Sequence, residues 1–107
     1  VPTTDELIIS IKNKEILGIV EENNLKGLIE FKVGSKKSLI INHISVLKKY
    51  RRQGIGKKLI EKLCSYGHKI GYNRIELFVN EDNEEAISFY KSLGFVEKNI
   101  KSIIYRR

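Results

Sequence analysis

Short apolar stretches alternate with turn residues through the first 46 positions, a pattern typical of β-strands joined by hairpins. Asn13-Lys14, Asn23-Asn24 and Gly34-Ser35-Lys36-Lys37 have the composition and length of hairpin loops. The stretches between them are rich in Ile, Val and Leu, which suits half-buried strands. Residues 6–46 are therefore predicted to form a four-stranded antiparallel meander, with strands over residues 7–11, 16–22, 26–33 and 39–46.

The periodicity changes to that of an α-helix after Gly56, because apolar residues then recur three or four positions apart. This helix is predicted to run from Lys57 to Gly67 or Gly71, ahead of a strand over residues 74–80. Two strands joined by a crossover helix normally lie parallel in one sheet. The fourth and fifth strands are therefore predicted to form a parallel pair.

A second helix is predicted to begin at Asp82 or Asn83, whose side chains are good N-caps, and to end at Gly94. Two glutamates follow the cap, where negative charge favours the helix dipole. A last hairpin is predicted over residues 95–98 and 100–105. No internal repeat or linker interrupts the sequence, so we expect one domain over residues 1–107.

Composition narrows the class of protein. Apolar residues make up 41% and charged residues 31% of the chain, values of a globular domain that exclude disordered and collagen-like classes. No apolar run approaches the roughly 20 residues of a membrane helix, and no signal-peptide pattern opens the chain. A single cysteine, Cys64, cannot form an internal disulfide and is best interpreted as a buried core residue. We expect a cytoplasmic protein with no membrane partner.

The positive charge is concentrated in one segment. The net charge is +7, and without the six basic residues of segment 48–58 it would be +1. A compact basic patch suits a small polyphosphate better than a long nucleic acid, although a nucleic-acid-associated adaptor stays an alternative. The six residues are Lys48, Lys49, Arg51, Arg52, Lys57 and Lys58.

The same segment carries a Gly54-x-Gly56 turn directly before the predicted helix. Glycines allow close approach of the backbone, and the first N–H groups of a helix have no intrahelical partner, so the turn suits an anion. A dinucleotide fingerprint would need a third glycine where Leu59 stands. A P-loop would need glycine at Arg51 and Ser or Thr at Lys58. Both motifs are excluded.

What remains, Arg51-x-x-Gly54-x-Gly56 after a strand, resembles the coenzyme A signature of the GNAT family of N-acetyltransferases. The segment from Leu77 to Phe95 resembles the second motif of that family, Leu-x-Val-x-x-x-Asn-x-x-Ala-x-x-x-Tyr-x-x-x-Gly-Phe. The resemblance implies a three-layer α+β fold with two main helices. Its central sheet would have six or seven mostly antiparallel strands and one splayed parallel pair.

The resemblance also implies acetyl-CoA as cosubstrate, no metal, and a set of binding residues. Backbone groups of the fourth strand would bind the pantetheine arm, main-chain N–H groups of the turn would hold the pyrophosphate, and Asn83 would contact the coenzyme. Tyr90 would be the catalytic proton donor to the sulfur, although its helical spacing also suits a core residue. The cofactor-binding set implied is Ile44, Ser45, Val46, Arg51, Arg52, Gln53, Gly54, Ile55, Gly56, Lys57, Asn83 and Tyr90.

The reaction implied is direct transfer of acetyl to a neutral amine, for which a group or a water chain must accept a proton. Neighbouring strand residues face opposite ways, so Asn42 and His43 cannot both line the cleft unless a bulge intervenes. Some relatives that acetylate protein N-termini carry a glutamate at the position of Phe78, and Glu76 is a possible substitute. No base is assigned from the sequence.

The chain departs from the family pattern between its first two strands, where only Asn13-Lys14 stands in place of the usual helix pair. One wall of the acceptor site would then be missing. We expect an exposed acceptor, such as a protein or peptide N-terminus or a lysine, or a second subunit of a homodimer that supplies the wall. A coenzyme A-binding module with little turnover is the alternative function.

Overall fold

A computed structural model of the chain describes residues 4–11, 14–99 and 102–106. It contains seven strands, one 3-10 turn (Lys48–Tyr50) and two α-helices. The strands are β1 (Thr4–Ile11), β2 (Lys14–Glu21), β3 (Asn24–Val33), β4 (Ser38–Val46), β5 (Arg74–Phe78), β6 (Val96–Asn99) and β7 (Ser102–Arg106). The helices are α1 (Ile55–Lys69) and α2 (Glu84–Ser92).

All seven strands belong to one sheet, in the order β1-β2-β3-β4-β5-β7-β6. The predicted meander is confirmed, because β1 to β4 pair antiparallel in sequence order. The predicted parallel pair is confirmed as well, since β4 and β5 run parallel with α1 between them in the chain. The fold is therefore the α+β type implied by the two motifs.

Several boundaries differ from the predictions. The helix α1 begins at Ile55, two residues before the predicted start, and ends at Lys69 with Gly71 beyond it. The strand β5 ends at Phe78 rather than at Asn80. Asn83 caps α2, because its side-chain Oδ1 accepts a hydrogen bond of 3.1 Å from the N–H of Ala86. Asn13 of the first predicted loop and residues 100–101 of the last predicted strand lie outside the described residues, and Lys14 of that loop is the first residue of β2.

The parallel pair is short, and this shapes the centre of the molecule. Pairing between β4 and β5 stops at Ile41 and Leu77. The register between β3 and β4 shifts at the same level, because Glu30 pairs with His43 and Phe31 with Ile41, which leaves Asn42 as a bulge. A bulge bends its strand and increases the local twist. The last part of β4 is thereby separated from β5, and the two strands diverge.

The core fills the space between the sheet and the helices. Buried apolar side chains of β2, β3, β4 and β5 pack against one face of α1 and against Tyr90 and Phe95. The start of α1 contacts α2, since the position of a Cβ on Gly56 would be 3.1 Å from Cζ of Phe89. Cys64 is buried in this core, as predicted. Neither of the two described helices is long and apolar enough to cross a membrane.

Candidate active site

The segment between β4 and α1 adopts an unusual backbone conformation. Arg52 and Gly54 both have positive φ, 64° and 76°, the left-handed region that favours glycine. A Cβ on Gly54 would meet nothing within 4 Å, so this glycine is required by its conformation rather than by crowding. The first intrahelical bond of α1 runs from the N–H of Lys58 to the carbonyl of Gly54, at 3.0 Å. The N–H groups of residues 55–57 therefore stay without intrahelical partners and point towards the turn.

A cleft of about 390 Å³ lies over this helix start. Eight of the twelve predicted coenzyme-binding residues line it together, which places the end of β4, the turn and the first residues of α1 around one space. These eight residues are Ile44, Val46, Arg51, Arg52, Gly54, Ile55, Gly56 and Lys57.

The backbone of β4 presents alternate residues to this cleft. The N–H of Leu47 donates to the carbonyl of Lys26 in β3, at 3.0 Å. Because backbone groups alternate in direction along a strand, those of Ser45 also face β3, whereas those of Ile44 and Val46 face the side that β5 has left. The carbonyl of Val46 accepts a hydrogen bond of 3.2 Å from Nε of Arg51. Ile44 and Val46 are therefore the residues of β4 whose backbone can bind a ligand in the cleft.

Four predicted ligand-binding residues do not line the cleft: Ser45, Gln53, Asn83 and Tyr90. The side chain of Asn83 is used to cap α2, and the backbone of Ser45 is directed at β3, as described above. Gln53 is exposed on the turn. Coenzyme contacts by these residues stay predictions.

The cleft is also lined by two residues of α2, Glu85 and Phe89, that do not belong to the predicted coenzyme-binding set. They stand four positions apart and therefore share one face of the helix. The ring of Phe89 covers Gly56, so a residue without a side chain is needed there to make room for α2. The sequence had predicted a different reason for this glycine, the close approach of a ligand. The spacing of Glu85 and Phe89 by four positions on one predicted helix was the available signal in the sequence.

Tyr90 is the buried residue of α2, with 7% of its surface exposed. Its ring makes edge-to-face contacts with Phe89 and Phe95, with centroid distances of 5.2 and 5.4 Å. Burial raises the pKa of the Tyr90 hydroxyl above its usual value of 10.0, because the phenolate would be poorly solvated. The hydroxyl is consequently protonated at neutral pH and able to donate. The core role of Tyr90 is thus confirmed, and its role as proton donor stays a prediction.

The candidate bases lie near the point where the strands diverge. Glu30 and His43 are cross-strand partners, and they face away from the core because Ile29 and Phe31, on either side of Glu30, face into it. The bulge that would let both Asn42 and His43 line the cleft is present and both side chains are exposed, but neither residue lines the cleft. Glu76 is less suitable as a base, because its carboxylate is 3.1 Å from the guanidinium of Arg74.

The apolar side chain of Phe78 lies beyond Glu76 on β5 and is 66% exposed. Residues on the same face of a strand are two positions apart, so Glu76 and Phe78 share a face. The exposed ring of Phe78 therefore lies next to the diverging strands. The structure itself assigns no base among the described residues.

Fold and site together form a mixed sheet whose parallel strands diverge beside a helix start with unpaired N–H groups and basic side chains. Residues 2–95 match the family model of the Acetyltransferase (GNAT) family. The chain belongs to this family, as the two motifs implied.

Curated relatives are similar to part of the chain. An uncharacterized N-acetyltransferase of Methanocaldococcus jannaschii is 45% identical over 60 residues, 56% of this chain and 26% of its own length. N-alpha-acetyltransferase 50 of Danio rerio is 36% identical over 74 residues, 68% of this chain and 44% of its own. The ribosomal protein bS18-alanine N-acetyltransferase of Escherichia coli is 40% identical over 63 residues, 59% and 43% of the two chains. The chain thus matches less than half the length of these relatives.

Solved structures share the fold over nearly the whole chain. A structure from Bacillus anthracis, described as a streptothricin acetyltransferase in complex with acetyl coenzyme A, superposes with a TM-score of 0.79 and 25% identity. The match covers 92% of this chain and 65% of that one. The Escherichia coli ribosomal-protein-S18-alanine N-acetyltransferase superposes with a TM-score of 0.74 at 24% identity, over 89% and 68% of the two chains.

The conformation of Gly54 leads to a stability prediction. Gly54→Ala should lower the free energy of unfolding by about 1 kcal/mol, because an L-residue with a larger side chain is disfavoured at positive φ. Gly54→Asn should cost less, since asparagine tolerates this region better than alanine. Urea unfolding of the three proteins measures both differences. Equal stability of the alanine variant and the unsubstituted protein would contradict the assigned backbone conformation.

Proposed function

We propose that this chain is an N-acetyltransferase domain that transfers acetyl from acetyl-CoA to the α-amine of a protein or peptide N-terminus. The observation that carries the proposal is the cleft over the start of α1, where basic side chains and unpaired backbone N–H groups meet the diverging end of β4. Membership of the GNAT family supports the reaction type.

The residues of the cleft fit acetyl-CoA. The pyrophosphate would bind to the N–H groups at the start of α1, where the helix dipole favours negative charge. The side chains of Arg51, Arg52 and Lys57 add positive charge there, and the space beside Gly54 is open to a ligand. The amide groups of the pantetheine arm would pair with the backbone of Ile44 and Val46, as an added strand does at the edge of a sheet.

Acetyl-CoA supplies the acetyl group as a thioester, whose sulfur leaves as coenzyme A. The C–S bond breaks as the neutral amine forms the C–N bond, and water accepts the proton that the amine loses. We assign to the Tyr90 hydroxyl, which is protonated at neutral pH, the proton that the departing sulfur needs. Phe89 and Phe95 hold the ring of Tyr90 in one orientation through their edge-to-face contacts. Direct transfer from the thioester to the amine forms no covalent enzyme intermediate, so Cys64, which is buried in the core, needs no role.

The acceptor class follows from the ease with which an amine loses its proton. With ordinary pKa values, about a third of α-amines are neutral at pH 7.5, against about 0.1% of lysine side chains. An α-amine therefore depends less on a strong base, which suits a site where His43 is exposed and Glu76 is ion-paired. The names of two relatives agree with this class: N-alpha-acetyltransferase 50 and the bS18-alanine N-acetyltransferase.

The shape of the acceptor side also supports a chain terminus. The strands β1 and β2 pair from Thr4 and Glu21 up to Ile11 and Lys14, so at most two residues join them. No helix pair can stand between these strands to enclose the acceptor. An extended peptide can enter such an open side without a conformational change of the protein.

The acceptor assignment is tested by a paired peptide assay. The free thiol of coenzyme A is measured as it forms from acetyl-CoA with a peptide that has a free N-terminus and no lysine. The matched peptide has a blocked N-terminus and one lysine. We expect faster release with the first peptide at pH 7.5. A preference for the lysine peptide would contradict the acceptor class, and binding of coenzyme A without release would leave the chain a binding module.

The role of Tyr90 is tested by Tyr90→Phe, which keeps the ring and removes the hydroxyl. We expect kcat to fall by roughly 10² or more, the scale of general acid catalysis, with little change in coenzyme A affinity. Tyr72→Phe is the matched control, because Tyr72 is half-buried at the core but lies outside the cleft. An unchanged kcat for Tyr90→Phe would remove Tyr90 from the catalytic residues.

A further inference from the structure

The anion-binding turn has little packing of its own. Residues 51–54 are all exposed, and Arg52 holds a positive φ that is costly for a residue with a side chain. Such a conformation persists only when its surroundings determine it. The contacts that fix the turn must therefore come from its two ends, residues 47–50 and the first turn of α1.

A buried carboxylate lies behind both ends. Glu21, the last residue of β2, has only 11% of its side chain exposed. Its Oε2 accepts a hydrogen bond of 2.6 Å from Nζ of Lys58, and its Oε1 lies 3.4 Å from Nζ of Lys26. The Lys26 side chain is buried to the same degree, which is uncommon for a lysine unless it is paired. We call Glu21, Lys26, Lys58 and Tyr50 the Glu21 cluster.

The two lysines connect Glu21 to opposite ends of the turn. Lys58 lies in the first turn of α1, and its backbone N–H closes the helix onto Gly54. Lys26 contacts the other end twice: its Nζ is 4.8 Å from the centre of the Tyr50 ring, and its carbonyl accepts from the N–H of Leu47. One carboxylate thus ties the entry and the exit of the turn to the β2–β3 hairpin.

The charge of Glu21 is unfavourable for the ligand in itself. A carboxylate close to a phosphate site repels the phosphate, and a buried ion pair often adds little net stability because both charges lose their hydration. Buried charged groups can instead select one arrangement of the chain. The acid at position 21 is therefore best explained by the arrangement in which it holds the chain, and not by its charge or by a gain in stability.

We propose that Glu21 is a positioning residue for the pyrophosphate of coenzyme A, acting through Lys26 and Lys58 on the turn. The proposal rests on the proposed function, because it takes coenzyme A as the ligand of the cleft. Glu21 touches neither the ligand nor the reacting atoms. Its effect is confined to binding of the pyrophosphate and leaves the chemical step unchanged.

The variant Glu21→Gln removes one negative charge near the anion site. An electrostatic effect and a positioning effect of Glu21 predict opposite changes in the KM for acetyl-CoA. An electrostatic effect alone would lower the KM for acetyl-CoA. Loss of positioning should raise this KM about tenfold, equivalent to about 1.4 kcal/mol, with kcat nearly unchanged. Transfer from acetylpantetheine, which has no pyrophosphate, should keep its kcat/KM. A merely destabilised protein would lose activity with both donors.

Two matched controls remove a negative charge without touching the cluster. Glu61 pairs with Lys57 at 4.0 Å beside the cleft, and its side chain is 62% exposed. Glu97 pairs with Lys91 at 3.3 Å, on side chains that are about half exposed. Glu61→Gln should leave the KM equal or lower, and Glu97→Gln should leave it equal.

Glu21→Asp covers the case in which Glu21→Gln fails to fold. It keeps the charge but shortens the side chain, so the carboxylate cannot reach both lysines, and the KM should still rise. An unchanged or lower KM in the Glu21 variants, with normal transfer by the unsubstituted protein, would overturn the positioning role alone. Failure of the unsubstituted protein to bind coenzyme A would overturn the proposed function, and the positioning role with it.

Discussion

The divergence of β4 from β5 is the constraint on which the rest of the molecule depends. Parallel pairing ends after Ile41 and Leu77, and the bulge at Asn42 bends β4 away. Two consequences follow from this one irregularity. The backbone of Ile44 and Val46 has no partner strand on the side of β5, and the chain leaves β4 at a place from which residues 47–54 lead to the start of α1.

The helix start then supplies what the open strand edge lacks, a strong preference for one kind of ligand. Unpaired N–H groups, the helix dipole and the arginines of the turn all favour an anion. The strand edge favours amide groups that can pair with it. A ligand with a pyrophosphate at one end and amides along an extended arm would satisfy both, which is why we propose coenzyme A, rather than a simple nucleotide, for this site.

The residues of the turn and the start of α1 could be predicted from the sequence, whereas the side-chain contacts that hold them in place could not. Gly54, Gly56 and the basic residues stand together in the chain, and the helical spacing after them fixes where α1 begins to within two residues. The contact between Gly56 and Phe89 joins residues 33 positions apart, and it depends on how two helices pack. The Glu21 cluster joins β2, β3 and α1 through side chains that read as ordinary surface charges in the sequence. Even the bulge at Asn42 has no signal in the residue types of β4.

A crystal structure of the chain with bound coenzyme A tests the central claim most directly. The account predicts that the pyrophosphate lies against the N–H groups of residues 55–57, that the pantetheine amides pair with Ile44 and Val46, and that the sulfur lies within hydrogen-bonding distance of the Tyr90 hydroxyl. Coenzyme A bound elsewhere on the chain, or bound with its sulfur remote from Tyr90, would contradict it.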